Sequence, residues 1–187
     1  MTDRLQATLD AIDATNSHDP RQDESQPEAL LYGQRMSQEL ARLFPDAAPE
    51  LQIAARAQHV ERWTLPRASF PEGRTGYLTW RKQLAVHHAQ VAGRIMADTG
   101  YEDAQVETVG RMLRKEGIKR HADTQQLEDV ICFVFLKWYF APFAAKHSPE
   151  KIQRIVEKTA RKMSDDARAR VLDEFDLPEE LAAAFRL

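Results

Sequence analysis

The chain has one cysteine, seven glycines and no apolar stretch that reaches the ~20 residues of a membrane span. Each shortage excludes something. A single thiol, Cys132, leaves no disulfide framework, and its place inside the apolar run VICFVF reads as a small buried hydrophobe in a reducing compartment. Few glycines, and few runs in which β-branched and polar residues alternate, leave little material for a sheet. A basic excess is missing too. The 26 Lys and Arg against 29 Asp and Glu give a formal net charge of -3, the balance of an ordinary solvated surface and not of a nucleic-acid binder. The opening MTDRLQATLDAID carries acids and no apolar signal-peptide core. A cytoplasmic protein with neither membrane nor nucleic acid among its partners is the expectation. Glycine-rich phosphate loops, the GxSxG elbow and the HExxH zinc signature are also lacking.

What is present is helical periodicity. With 43% hydrophobic residues over 187 positions, the chain can bury one core without staples, so a single all-α domain is expected. Leu5, Leu9 and Ile12 set a first helix from Thr2 to Thr15, and the polar stretch NSHDPRQDESQP after it reads as a loop, so that residues 1–26 are an N-terminal helix and linker. A core of residues 27–147 follows. Its helices are Pro27 to Phe44, then LQIAARAQHVERW, then Thr75 to Thr99 with Gly100 as its left-handed end, then EDAQVETVGRMLRKEG ending at Gly117. Asp123 and Gln126 resemble a capping box opening LEDVICFVFLKWYFAPF, apolar around nearly its whole circumference and hence central. Ser148 and Ser164 look like caps of two more helices, and LPEELAAAF begins a last one in residues 148–187, for about nine helices in all. Between the third and fourth helices, TLPRASFPEGRTG is a loop, and Trp63 and Trp80 beside it either pin it to the core or line a ligand mouth.

Glu128 and Asp129 are the sharpest conflict, two carboxylates in a helix that is otherwise apolar on every side. Buried carboxylates need a cation, a metal or several donors. Candidate partners lie upstream. A helix through LQIAARAQHVERW would put Arg56, His59, Arg62 and Trp63 on one face. Of the adjacent His87 and His88, which point about 100° apart, His88 has the more apolar neighbours at helical spacing and is the core-facing one. Imidazoles and carboxylates from separate helices suit a divalent metal such as manganese, iron, zinc or nickel. The basic side chains Arg35, Arg56, Arg62, Arg67, Arg81 and Lys115 suit a small phosphate or carboxylate ligand instead of, or beside, a metal.

The segments LLYGQRM, LQIAARAQHVERWTLPR, GYLTWRKQL followed by His88, MLRKEG and LEDVICFVFL resemble the family labelled domain of unknown function 4202, over nearly the whole chain. That resemblance implies no assigned reaction. A more distant likeness is to HD-domain metal phosphohydrolases, helical enzymes that hold one or two metals over a phosphoester with histidines and aspartates from successive helices. It implies an HD-domain-like bundle with His59, His88 and Asp129 as metal ligands. Tyr32 stands where that pattern has its first histidine and Val60 where it has the aspartate after His59, so Glu61 or Glu128 would complete the set, with Glu128 as ligand or base. The expectation is a metal-dependent hydrolase of a small phosphorylated or nucleotide-like substrate. The alternative is a non-catalytic protein that binds an anionic metabolite or a partner protein through a metal-free polar cluster.

Overall fold

Apolar residues three and four apart become ten α-helices among residues 2–186, the part of the chain that the computed structural model describes. The all-α class holds. The residues fall into two compact units, one ending at Glu116 and the other starting at Gly117.

In the first unit, α1 (Thr2–Asn16), α2 (Glu28–Leu43), α3 (Pro49–Arg56), α4 (Gly73–Asp98) and α5 (Asp103–Leu113) enclose a core with Ile12, Met36, Ile53, Met96 and Met112 fully buried. α5 packs along α4 and against α3, which in turn packs on α2. Helix α2 is amphipathic, burying Leu31, Met36, Leu40 and Leu43. Gly33 lets it approach α3, since a Cβ there would lie 2.8 Å from the carbonyl oxygen of Arg56. The linker between α1 and α2 is more ordered than a plain loop. Its strands β1 (Gln22–Asp23) and β2 (Gln26–Pro27) pair antiparallel across Glu24 and Ser25, both at positive φ, the two-residue turn that suits strand twist.

Gly100 ends α4 as expected, at φ 84, and the Tyr101 and Gly100 amides donate to Met96 and Ala97 carbonyls in a Schellman motif. At the end of α5 the expectation fails in an informative way. The equivalent bonds run from Glu116 to Arg111 and from Lys115 to Met112, so Lys115, at φ 59, takes the left-handed position two residues before Gly117.

The second unit runs through α6 (Ala122–Val134), a π-helical turn (Phe135–Tyr139), α7 (Phe140–Ala144), α8 (Pro149–Lys162), α9 (Asp165–Glu174) and α10 (Glu179–Ala182). α6 buries Leu127, Val130, Phe133 and Val134 and leads straight into the π turn. Pro142, which has no N–H for the carbonyl four residues before it, follows that wider turn. The Asp123–Gln126 capping box does not form. Helix α6 starts two residues earlier with His121 at its N-cap, and Asp123 accepts from the neighbouring Thr124 amide. Ser148 and Ser164 do cap α8 and α9, accepting from the amides of Lys151 and Ala167. No helix among the described residues is long and apolar enough to cross a membrane.

Candidate functional site

The third helix stops at Arg56, seven residues short of Trp63, and the reason is local. After Arg56 the chain makes successive tight turns, with Val60 bonding back to Ala57 and Arg62 to His59, and Glu61 lies in the left-handed region at φ 50. The buried Asn16 side chain accepts from the Glu61 amide at 3.3 Å and fixes that bend. Arg56, His59, Arg62 and Trp63 therefore do not share one helix face. Arg56 turns to the Asp13 carboxylate, which it grips at 2.7 and 2.8 Å, while His59 and Arg62 swing toward α4.

The turn delivers His59 onto Tyr32 of α2, the rings stacked at 3.6 Å and 12°. On its other side stands His88 of α4, ring centroids 6.2 Å apart. Of the histidine pair on α4, His88 is buried, 4% exposed, whereas His87 faces Glu61 at 3.3 Å and Thr64 at 3.2 Å. Trp80, also on α4, donates to the Leu65 carbonyl and carries the Arg62 guanidinium over its ring at 4.8 Å. That ties the loop to the helix and aims Arg62 inward.

Around His59 and His88 opens a cleft of about 410 Å³. Its basic lining is Arg62, Arg81, Lys82, Arg114 and Lys115, against one acid, Glu116, which Arg114 already holds at 2.8 Å. Two polar atoms of lining residues are buried without a hydrogen-bond partner, His88 Nε2 and Gln58 Oε1. Buried orphans of this kind are rare and call for an explanation. The electrostatics agree with the charge count. Burial, then Arg62, His87, Arg81 and Lys115, push the His88 imidazole down to about 3. Burial, then Arg62, His88, Arg81 and Lys115, hold His59 well below the usual histidine range. Even the Arg62 guanidinium is lowered, by burial and then by Arg81. Like charges have been brought together over two neutral imidazoles, an arrangement that repels protons and attracts anions. Lys115 reaches this cleft from a left-handed backbone that a lysine rarely adopts, and such conformations gather at functional sites.

Of the residues singled out in the sequence, then, His59, His88, Arg62, Arg81 and Lys115 come together. Others are engaged elsewhere. Arg35, almost fully buried, bonds Asp23 and Glu24 and closes the hairpin. Arg67 donates to the Phe70 and Gly73 carbonyls within its loop. Glu61 sits with His87. In the second unit, Asp129 accepts from the Ser164 amide at 2.8 Å, the Ser164 hydroxyl at 2.7 Å and Gln125 at 2.9 Å, and Glu128 lies 3.4 Å from the Lys162 ammonium. Gln58 and Lys82 were not singled out. Lys82 adjoins Arg81 and looks like one more solvated cation, and no periodicity marks Gln58.

A family model described as Domain of unknown function (DUF4202) matches residues 6–184. The chain belongs to this family. No curated protein and no solved structure matches it.

The residues fit a metal poorly. Among the described residues no group of three or more His, Cys, Asp or Glu gathers as a metal site, and the oxygens of Asp129 are occupied by Ser164 and Gln125. His59 and His88 alone offer two nitrogens, short of the three protein ligands that catalytic zinc sites use.

Proposed function

We propose that this protein binds a small anionic metabolite in the cleft of the first unit, with no metal between protein and ligand. One observation carries the reading. His88 Nε2 is buried and unpartnered in a cleft whose lining includes Arg62, Arg81, Lys82 and Lys115. Arginine forks grip phosphate or carboxylate through two parallel bonds, and lysines add point charge. An anion seated there relieves the repulsion between Arg62 and Arg81 and hydrogen-bonds a nitrogen that has no other partner. The neutral imidazoles act as oriented polar groups in that role.

The experiment is thermal melting of the full chain with orthophosphate, sulfate and chloride at equal ionic strength. At a phosphate concentration about a hundred times Kd the stabilisation is about 2.7 kcal/mol, a rise in Tm of several degrees. Arg62→Ala together with Arg81→Ala removes that rise and leaves the circular dichroism spectrum unchanged. Equal melting in all three salts overturns the proposal.

A metal-assisted hydrolase, with His59 and His88 as metal ligands, is the rival reading, and one feature favours it. Both imidazoles are held neutral, the state in which histidine binds metal. It predicts about one equivalent of manganese, iron, zinc or nickel in the purified protein, lost in His59→Ala. The anion reading predicts none, and phosphate binding that survives chelation.

A further inference from the structure

We infer that the anion is a phosphate monoester carrying hydroxyl groups next to the phosphate, a phosphorylated sugar or polyol. The inference rests on the anion-binding reading and goes beyond it in naming what else the ligand must bear. Charge selects the phosphate. Arg62, Arg81, Lys82 and Lys115 line the cleft, Arg81 and Lys82 from exposed positions, with its one lining acid bound to Arg114. A monocarboxylate brings one negative charge to these four cations, whereas a phosphate monoester brings close to two at neutral pH.

The two orphaned atoms select the hydroxyls. Gln58 Oε1 is an acceptor and needs a donor, which a phosphate dianion does not have. His88 Nε2 donates or accepts according to its tautomer, and a hydroxyl, which does both, satisfies it in either state. Gln58 and His88 are 7% and 4% exposed, so neither atom is left to bulk solvent. A ligand of phosphate and hydroxyls therefore answers both features of the cleft, its charge and its unfilled hydrogen bonds. A nucleobase is disfavoured, because the aromatic rings in the lining are those of His59 and His88, and one face of His59 already carries Tyr32.

The cleft is large enough for such a ligand. About 410 Å³ lies in the range of small-molecule sites, more than orthophosphate fills. Leu84, Ala85 and Leu113 supply apolar wall for the carbon skeleton.

The test is isothermal titration of the full chain with orthophosphate, glycerol phosphate, ribose phosphate, ribose, citrate and adenosine monophosphate. Ribose phosphate is expected to bind at least about tenfold tighter than orthophosphate, ribose not at all, and the nucleotide no tighter than ribose phosphate. Gln58→Leu is expected to keep orthophosphate binding and to erase the preference for ribose phosphate. Orthophosphate binding as tightly as the esters overturns the hydroxyl assignment while leaving the anion site standing. Preference for citrate or for the nucleotide overturns the ligand class in the same way. A Gln58→Leu protein with its preference intact overturns the role of Gln58, and a chain that binds none of the anions removes both this inference and the site beneath it.

Discussion

Both units bury polar side chains, and the two differ in what surrounds the ones left unfilled. In the second unit the Asp129 carboxylate accepts three hydrogen bonds, and the Ser164 hydroxyl that donates to it also accepts from Ala167, so the start of α9 is tied to α6. In the first unit His88 Nε2 and Gln58 Oε1 accept nothing and donate nothing, although they lie in a cleft lined with cations. The Asp129 network has an orphan of its own in Gln125 Oε1, but its carboxylate is filled by protein donors and it explains itself as structure. An open one beside clustered positive charge is the arrangement on which the anion-binding proposal rests. Burial of a polar residue is therefore not a functional signal until its partners are counted.

The largest effect that bears on this contrast belongs to Asp129. Its removal strands the Ser164 amide and leaves a void in a buried network, so Asp129→Ala is expected to cost about 1–3 kcal/mol in urea unfolding. Asp129→Asn keeps part of the network, folds, and is expected to bind phosphate like the parent, since every residue lining the cleft precedes Gly117. A loss below about 1 kcal/mol in Asp129→Ala would show that the network is dispensable, and lost anion binding in Asp129→Asn would show that Asp129 serves the site after all.

Acid separates the units next, because the shifts have opposite signs. His88 is pushed down to about 3 from an unfolded value of 6.5, with burial the main cause, and His59 shifts the same way. Between those limits the unfolded chain binds protons that the folded unit refuses. Stability of the first unit is thus full above pH 6.5 and falls as pH drops, by up to about 1.4 kcal/mol per pH unit for each histidine. Asp129 is shifted upward, chiefly by burial and against the pull of its Ser164 bonds, so its share of stability is present at low pH and lost as pH rises past 3.8. Hydrogen exchange at pH 7 and pH 5 is expected to show α4 amides losing protection while α6 amides do not. Equal loss in both helices would remove the electrostatic distinction.

How much of this was legible in the sequence follows from the range of the interactions concerned. Periodicity and caps are local, so α1, α2, α4, the Gly100 terminus and the serine caps of α8 and α9 could be read directly. The early end of α3 could not, because Asn16, forty-five residues away, holds the Glu61 bend. The same reach misplaced Arg56 and Arg35, whose acid partners sit in α1 and in the hairpin. His59 and His88 stood out because histidine among apolar neighbours is conspicuous, whereas Gln58 became informative only once its oxygen was seen to lack a partner. Asp129 drew attention for a sound reason, the difficulty of burying a carboxylate. The answer lay in Ser164, thirty-five residues on, a relation no spacing rule discloses.

The smallest effect is the most discriminating, because its sign differs between the readings. If His88 is a packed structural residue, replacing it removes contacts and destabilises, as most core substitutions do. If it is an unfilled binding group, its buried Nε2 is a liability in the empty protein, and a leucine of similar size relieves it. His88→Leu is therefore expected to unfold at higher urea, by about 1 kcal/mol, and to flatten the acid slope of the first unit by one histidine. The same variant should bind the phosphate ester more weakly than the parent, by roughly tenfold, since it lacks a hydrogen bond that the ligand would make. Greater stability with poorer binding is the signature of a group kept for function against the interest of the fold. Lower stability with unchanged binding would return His88 to the core as a packed structural residue.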